Sequence, residues 1–306
     1  MKQKTSEAAL NRWPQILLAL GVDEKYLNPR KHSGCPVCGQ GKDCYRFRDK
    51  YGSGDWICSR CGGGDGFKLI MGVFGWDFVH AAKQVDSVVG NCEQEERKPQ
   101  KDPSERLNKI WLETQSIDSI NPVTLYLKNR NLPRSKNLRI HPKMAYYDSD
   151  GVYKGSYPAM VAMFCTDKGE PSTLHITYLT KDGQKADVES CKKILPPSKP
   201  MQGGAIRLFD EAETMGVAEG IETALACAKE FKIPVWPTSN AVMLEMFKPP
   251  EICKRLYIFG DNDASYTGQK SAYVLANKIY KDVQPVVMIP EVTGNDWADV
   301  LTSNAG

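Results

Sequence analysis

The chain has 306 residues, a quarter of them charged, and a net charge of only +3 at neutral pH. That length holds two or three domains with real cores. So small a cationic excess excludes a polybasic chain but permits a nucleic-acid partner, for which patch placement matters more than the sum. No apolar run approaches the ~18 residues of a spanning helix, so no membrane partner is expected. Ten cysteines with no sign of an export signal point to a reducing, cytoplasmic setting and to metal binding over disulfides.

Residues 1–30 read as an amphipathic helix followed by a turn at Asn28-Pro29. Residues 31–70 are dense in Cys and Gly, with short β-type stretches, YRFRD and DWICS, around a turn at Gly52–Gly54. Helical spacing returns over 68–89 through Leu69, Ile70, Val73, Phe78, Ala82 and Val85. The polar, twice proline-bearing NCEQEERKPQKDPSE has the composition of a linker. Two helices are predicted over 104–131. Strands follow over 137–210, with Asp-Gly turns at 150–151 and 182–183 as hairpin signals. From 215 onward strand and helix alternate: GVAE, helix 221–231, PVWPT, helix 241–247, RLYIFG, helix 267–281, PVVMIP, helix 296–303. Alternation of this kind predicts a mainly parallel sheet with right-handed crossovers. The expected organisation is α+β and multidomain: a metal-binding domain at 1–90, a linker at 91–103, a mixed subdomain at 104–211 and an α/β domain at 212–306.

Cys35-Pro-Val-Cys38 and Cys58-Ser-Arg-Cys61 are two CxxC pairs nineteen residues apart. Each can turn two thiolates onto a common point, and two pairs make a closed tetrahedral shell, the form of a structural zinc site. Iron in the same cage and a redox CxxC are the alternatives, and His32 or Cys44 is a possible replacement ligand. Arg46, Arg48, Trp56 and Arg60 interleave cationic and aromatic groups between the pairs, as single-stranded nucleic acid requires. The alternative for Trp56, and for Phe47, is service in a small core.

Glu219 ends one apolar run, and Asp261 and Asp263 end another. Carboxylates at the carboxyl ends of neighbouring parallel strands converge on one crevice. Three of them stay ionised there only if cations offset their repulsion, and Mg²⁺ or Mn²⁺ takes such oxygen ligands while leaving positions for phosphates. Gly220 and Gly260 are expected to permit close backbone approach. Asp296 and Asp299, in GNDWAD, extend the acidic set, Asp296 being equally suited to cap a helix. Lys270 lies on the helix after the Asp pair, as a phosphate contact or a solvated lysine. Arg134, Arg139, Lys143, Lys181, Lys185, Lys192, Lys193 and Arg207 flank the acidic set as a candidate groove for nucleic acid and nucleotide.

With these motifs in hand, the chain resembles a known family. GCPVCGQGKDCYRFRDKYGSGDWICSRCGGGDGFKLI is similar to the zinc-binding domain of satellite-phage and plasmid primases. EGIETALA, IFGDNDA and GNDWADVL resemble the three motifs of the TOPRIM fold. YLKNRNL, YPAMVAMF, LHITYLTKDGQKADV and GGAIRLF also look like this group, so the resemblance spans 31–302. It implies a zinc-ribbon domain, a mixed subdomain and a TOPRIM domain that synthesises short RNA primers on single-stranded DNA from ribonucleoside triphosphates with Mg²⁺ or Mn²⁺. By this match Glu219 is the acid/base or metal-organising carboxylate, Asp261 and Asp263 are metal ligands, and Asp296 and Asp299 give secondary support. Two departures stand out. Where bacterial replicative primases often have an acid four residues after the motif glutamate, this chain has Thr223. Where satellite-phage primases carry a helicase, the nearest approach to GxxxxGK[ST] is TGQKSA, so a separate helicase partner is expected. A TOPRIM nuclease and a non-catalytic DNA-binding replisome module are the competing readings; a topoisomerase fits the length poorly.

Overall fold

The computed structural model describes residues 5–90, 92 and 102–303, in two compact units. One comprises residues 1–100 with 149–152, the other 101–148 with 153–306. The proposed linker at 91–103 lies almost wholly outside the described residues.

In the first unit α1 (Thr5–Ala8) and α2 (Trp13–Ala19) precede a three-stranded antiparallel ribbon of β1 (Tyr45–Phe47), β2 (Trp56–Cys58) and β3 (Gly62–Gly64). The expected single N-terminal helix is therefore two, with Asn11 between them at φ 62°. Helices α3 (Gly66–Phe74) and α4 (Phe78–Val89) follow. Continuous helical spacing over 68–89 is likewise split, because Gly75 takes the left-handed conformation that ends a helix. Asp65 and Asp77 cap α3 and α4 by accepting from the amides of Lys68 and His80. Ribbon and helices share one core of Trp13, Ile16, Leu17, Tyr45, Phe47, Trp56, Phe67, Leu69 and Ile70.

The second unit opens with α5 (Pro103–Leu112), β4 (Gln115–Ser116) and α6 (Pro122–Asn129), the last started by an Asn121–Thr124 capping box. An antiparallel sheet in the order β4-β5-β6-β7-β8 follows, from β5 (Leu138–Tyr147), β6 (Tyr153–Cys165), β7 (Pro171–Tyr178) and β8 (Lys192–Ile194). β9 (Ala205–Ile206) pairs with β6. The turn at 150–151 joins two long strands as predicted. The turn at 182–183 closes only an isolated Leu179–Lys185 bridge, and β7 takes its ladder from β8 instead.

Four parallel strands come next, β10 (Thr214–Ala218), β11 (Val235–Pro237), β12 (Arg255–Phe259) and β13 (Gln284–Met288), in the order β11-β10-β12-β13. Between and after them lie α7 (Ile221–Phe231), α8 (Ala241–Met246), α9 (Thr267–Ile279) and α10 (Trp297–Ser303). The central strands read as near-continuous apolar runs, Met215–Ala218 and Leu256–Phe259, as strands covered on both faces do. No helix of the described residues is long and apolar enough to cross a membrane.

Candidate active site and metal centre

Register places the acids. Ala218 pairs with Phe259 on the adjacent strand, so Glu219 and Gly260-Asp261 leave the same edge of the parallel sheet side by side. Gly260 lies against Ile289 and Ala272, where a Cβ would come within 2.7 and 2.9 Å of their side chains. Gly268, on α9, is just as constrained: a Cβ there would stand 2.5 Å from the Asp261 carbonyl oxygen. The sequence reading missed Gly268, although it lies in the TGQK stretch. The expectation for Gly220 fails, since its nearest neighbour, Thr223 Oγ1, is at an ordinary 3.5 Å.

Asp263 Oδ2 accepts from the Gly268 amide at 2.9 Å, tying the acidic loop to the start of α9. Asn262, also missed, braces the loop by donating to the Pro290 carbonyl at 2.7 Å and accepting from Gln269 at 2.6 Å. Asp296 and Asp299 accept from each other's amides at 2.9 and 3.2 Å, a reciprocal cap at the start of α10, so the helix-cap role foreseen for Asp296 is present.

Glu219 Oε1 and Asp261 Oδ1 are both buried without a hydrogen-bond partner. Burial, then the fields of Asp261 and Asp263, push the Glu219 carboxyl up to about 8. Burial, then Asp296, Asp263 and Asp299, push Asp261 up to about 7. Two buried carboxylate oxygens lacking donors, in mutual repulsion, are what a divalent cation would relieve. The residues therefore fit a hard divalent cation. The acids do not form a tight cage: among the described residues, only the four cysteines bring three or more ligand-type side chains within 4.8 Å of one another. Acids spaced more loosely than a closed cage would leave room on a bound metal for phosphate oxygens.

Cys35, Cys38, Cys58 and Cys61 converge, with all four Sγ atoms within 4.8 Å and Cys35–Cys61 at 3.6 Å. Tetrahedral zinc at ~2.3 Å from each sulfur needs S···S edges of about 3.8 Å. Burial opposes ionisation of Cys58, but amide hydrogen bonds from Cys61 and Arg60 outweigh it and bring the thiol down to about 7. Cys44 Sγ stands 3.7 Å from Cys58 Sγ yet donates to the Gln40 carbonyl and lies outside the four. His32 turns its ring to the Asp43 carbonyl.

The expected nucleic-acid contacts divide. Arg46, Arg48 and Arg60 are exposed, Arg46 and Arg48 with partners at the Pro29 carbonyl and Asp55. Trp56 is 4% exposed and packs near Tyr45, so its ring is spent in the core and offers no stacking face. Arg134, Lys181 and Lys185 are exposed, and no ion pair engages them among the described residues. Arg139 is bound to Thr114 through its side chain at 2.5 Å and its carbonyl at 2.9 Å, and it covers Trp111; it fastens β5 to the end of α5, with Nε and Nη2 engaged there. Arg207 donates to the Asp167 carbonyl and lies over Trp236, Lys193 covers the Tyr146 ring and reaches the Tyr147 carbonyl, and Lys270 pairs with Glu245. Lys192 pairs with Glu222 at 2.8 Å, and Glu222 also accepts from the Tyr126 hydroxyl at 2.6 Å.

Beside that pair His175, 8% exposed, has an unpartnered Nδ1. Burial depresses its pKa to about 4, the Glu222 field opposing and the Lys192 field assisting. A folded-state pKa below the unfolded one makes the fold lose stability as pH falls, here from about 6.5 toward 4. His175→Leu should therefore gain on the parent protein by about 2–3 kcal/mol between pH 7 and pH 4. Parallel urea midpoints across that range would contradict the assignment.

The fold and the four-cysteine centre define the class: a zinc-ribbon protein with a Toprim domain. Family models match the zinc-binding domain of primase-helicase over residues 30–67, a domain of unknown function over 101–208 and a Toprim domain over 214–305. The chain thus joins a primase-helicase type zinc-binding domain to a Toprim domain. Among solved structures it is similar to the zinc-binding and RNA polymerase domains of the Aquifex aeolicus primase (14% identity, 99% of this chain and 83% of that one, TM-score 0.41). It is also similar to the DnaG primase catalytic domain bound to ssDNA (13%, 66% and 76%, TM-score 0.45). The primase fragment of the bacteriophage T7 primase-helicase protein gives 12% identity over 90% and 95%, with TM-score 0.39. The domain assignment rests on the family matches alone.

Proposed function

We propose that the chain synthesises short RNA primers on single-stranded DNA in phage- or plasmid-type replication, with Glu219, Asp261 and Asp263 holding Mg²⁺ or Mn²⁺. The observation that carries this reading is the pair of buried, donorless oxygens on Glu219 and Asp261, side by side at the carboxyl edge of a Toprim sheet. In the reaction a primer 3′-hydroxyl forms a bond to the α-phosphorus of a ribonucleoside triphosphate, and pyrophosphate leaves. A bound divalent cation supplies charge neutralisation at the phosphates. Glu219, raised toward neutral pH, is suited to take the hydroxyl proton. Asp263, tied to α9, keeps the acidic loop in place for the incoming nucleotide. Arg46, Arg48 and Arg60 on the ribbon grip template, while Arg134, Lys181 and Lys185 offer free cations to phosphate. A helicase is the proposed working partner, in keeping with the match to the zinc-binding domain of primase-helicase.

Template-dependent incorporation of labelled ribonucleotides with Mn²⁺ tests the reading. Labelled RNA of discrete short lengths is the expected result. Shortening of the DNA instead would favour the nuclease reading, and binding with neither product would reduce the chain to a DNA-binding module.

A further inference from the structure

Three side chains from distant parts of the chain meet near the acidic set, close enough for the Lys192 charge to act on Asp261. Tyr126 comes from α6, Lys192 from β8 and Glu222 from the first turn of α7, three residues beyond Glu219. Glu222 Oε1 accepts from the Tyr126 hydroxyl at 2.6 Å, and Oε2 from the Lys192 ammonium at 2.8 Å. Glu222 is only 5% exposed. Burial alone would raise its carboxyl, yet Lys192 and Tyr126 together hold it down to about 2, so the group is ionised at any working pH. An ion pair this deep is a poor device for stability, since its desolvation cost offsets much of the attraction and apolar residues would serve as well. It does fix a charge in space.

Which charge is fixed, and toward what, follows from exposure and field. Glu222 is enclosed, whereas the Lys192 side chain is 37% exposed, so the ammonium keeps donors for another partner. Its field reaches Asp261 and offsets part of the repulsion there. The neighbouring Lys193 is directed to the Tyr146 ring and the Tyr147 carbonyl. His175, uncharged at neutral pH, is buried within reach of both the Glu222 and Lys192 fields. A rigid ammonium beside carboxylates that bind metal is matched to a polyphosphate, whose charge exceeds what the metal alone neutralises.

We propose that Glu222 and Tyr126 are positioning residues that brace Lys192 to bind the triphosphate of the incoming nucleotide. The inference rests on the primase reading for the identity of the substrate, but its test does not require turnover. Binding of a fluorescent ribonucleoside triphosphate, followed by anisotropy with Mn²⁺ present, is the first measurement. Lys192→Met and Glu222→Gln should each weaken it roughly tenfold, the effect of losing a charged hydrogen-bond partner, and Tyr126→Phe by a few-fold. Single-stranded DNA affinity should stay within twofold. In primer synthesis the same variants should raise KM for the nucleotide more than they lower kcat, a split that a merely structural tie would not produce. Should Glu222→Gln fail to fold, Tyr126→Phe and Lys192→Met carry the test. Triphosphate affinity equal to the parent protein's in the folded variants would overturn the proposal, as would no triphosphate binding by the parent itself. Triphosphate binding that depends on Glu222 in a protein that makes no RNA would uphold it and overturn the primase reading instead.

Discussion

Asp261→Ala and Asp263→Ala should each abolish primer synthesis, by about a thousandfold or more, while leaving binding of single-stranded DNA within a few-fold. A loss of that size corresponds to roughly 4 kcal/mol of barrier, the range expected when a metal-holding carboxylate is removed from a phosphoryl-transfer site. DNA affinity should be spared because the exposed cations proposed to meet phosphate lie on other segments. The same pocket predicts an opposite effect on stability. Burial and the neighbouring acids disfavour the charged form of Asp261 in the fold. With metal chelated, this group's contribution to stability is full below pH ~4 and is lost as pH rises through about 7. Asp261→Asn should therefore melt several degrees higher than the parent protein in EDTA at pH 8, although it is inactive. A variant both active and unchanged in melting would refute the assigned role.

Loss of zinc is the second large effect. Cys58→Ser removes one corner of the four-sulfur shell and should take bound zinc from one equivalent to near none by elemental analysis. Structural zinc sites contribute apparent free energies of about 10–16 kcal/mol at neutral pH, far more than three-residue strands supply. The ribbon from β1 to β3 should consequently unfold. The helical side of that unit keeps Trp13, Ile16, Leu17, Leu69 and Ile70, and partial helicity should survive. The Toprim sheet has its own core around Met215, Val217, Leu256 and Ile258 and should melt unchanged. Template use should fall because Arg46, Arg48 and Arg60 ride on the ribbon. Undiminished zinc content in Cys58→Ser would exclude the four-cysteine site.

Legibility in the sequence followed the range of the interactions. The parallel sheet was readable because each strand is an apolar run ending in a marked junction, and each following helix has its own period. The CxxC pairs were readable because their spacing alone dictates a turn. Misreadings arose where one residue's backbone state or burial decides. Gly75 at φ 69° splits a helical pattern that looks continuous. Trp56 satisfies both an aromatic–basic binding pattern and a core pattern, and packing settles it in favour of the core. Arg139 counts as a free cation in the sequence and as a brace in the fold, because its partner Thr114 is twenty-five residues away. The Tyr126–Glu222 contact spans ninety-six positions and leaves no periodic trace. Glu222 was visible as an acid beside Thr223, but nothing local distinguishes a buried, ion-paired glutamate from a solvated one at a helix start.

The central claim is that Glu219, Asp261 and Asp263 jointly hold a divalent ion at the edge of the Toprim sheet. A crystal of the protein soaked in manganese and recorded for anomalous scattering addresses it directly. The predicted result is an anomalous peak bounded by oxygens of all three side chains, at the bond lengths of an oxygen-coordinated metal. Glu219 turned away from the two aspartates, with no peak between them, would contradict the account.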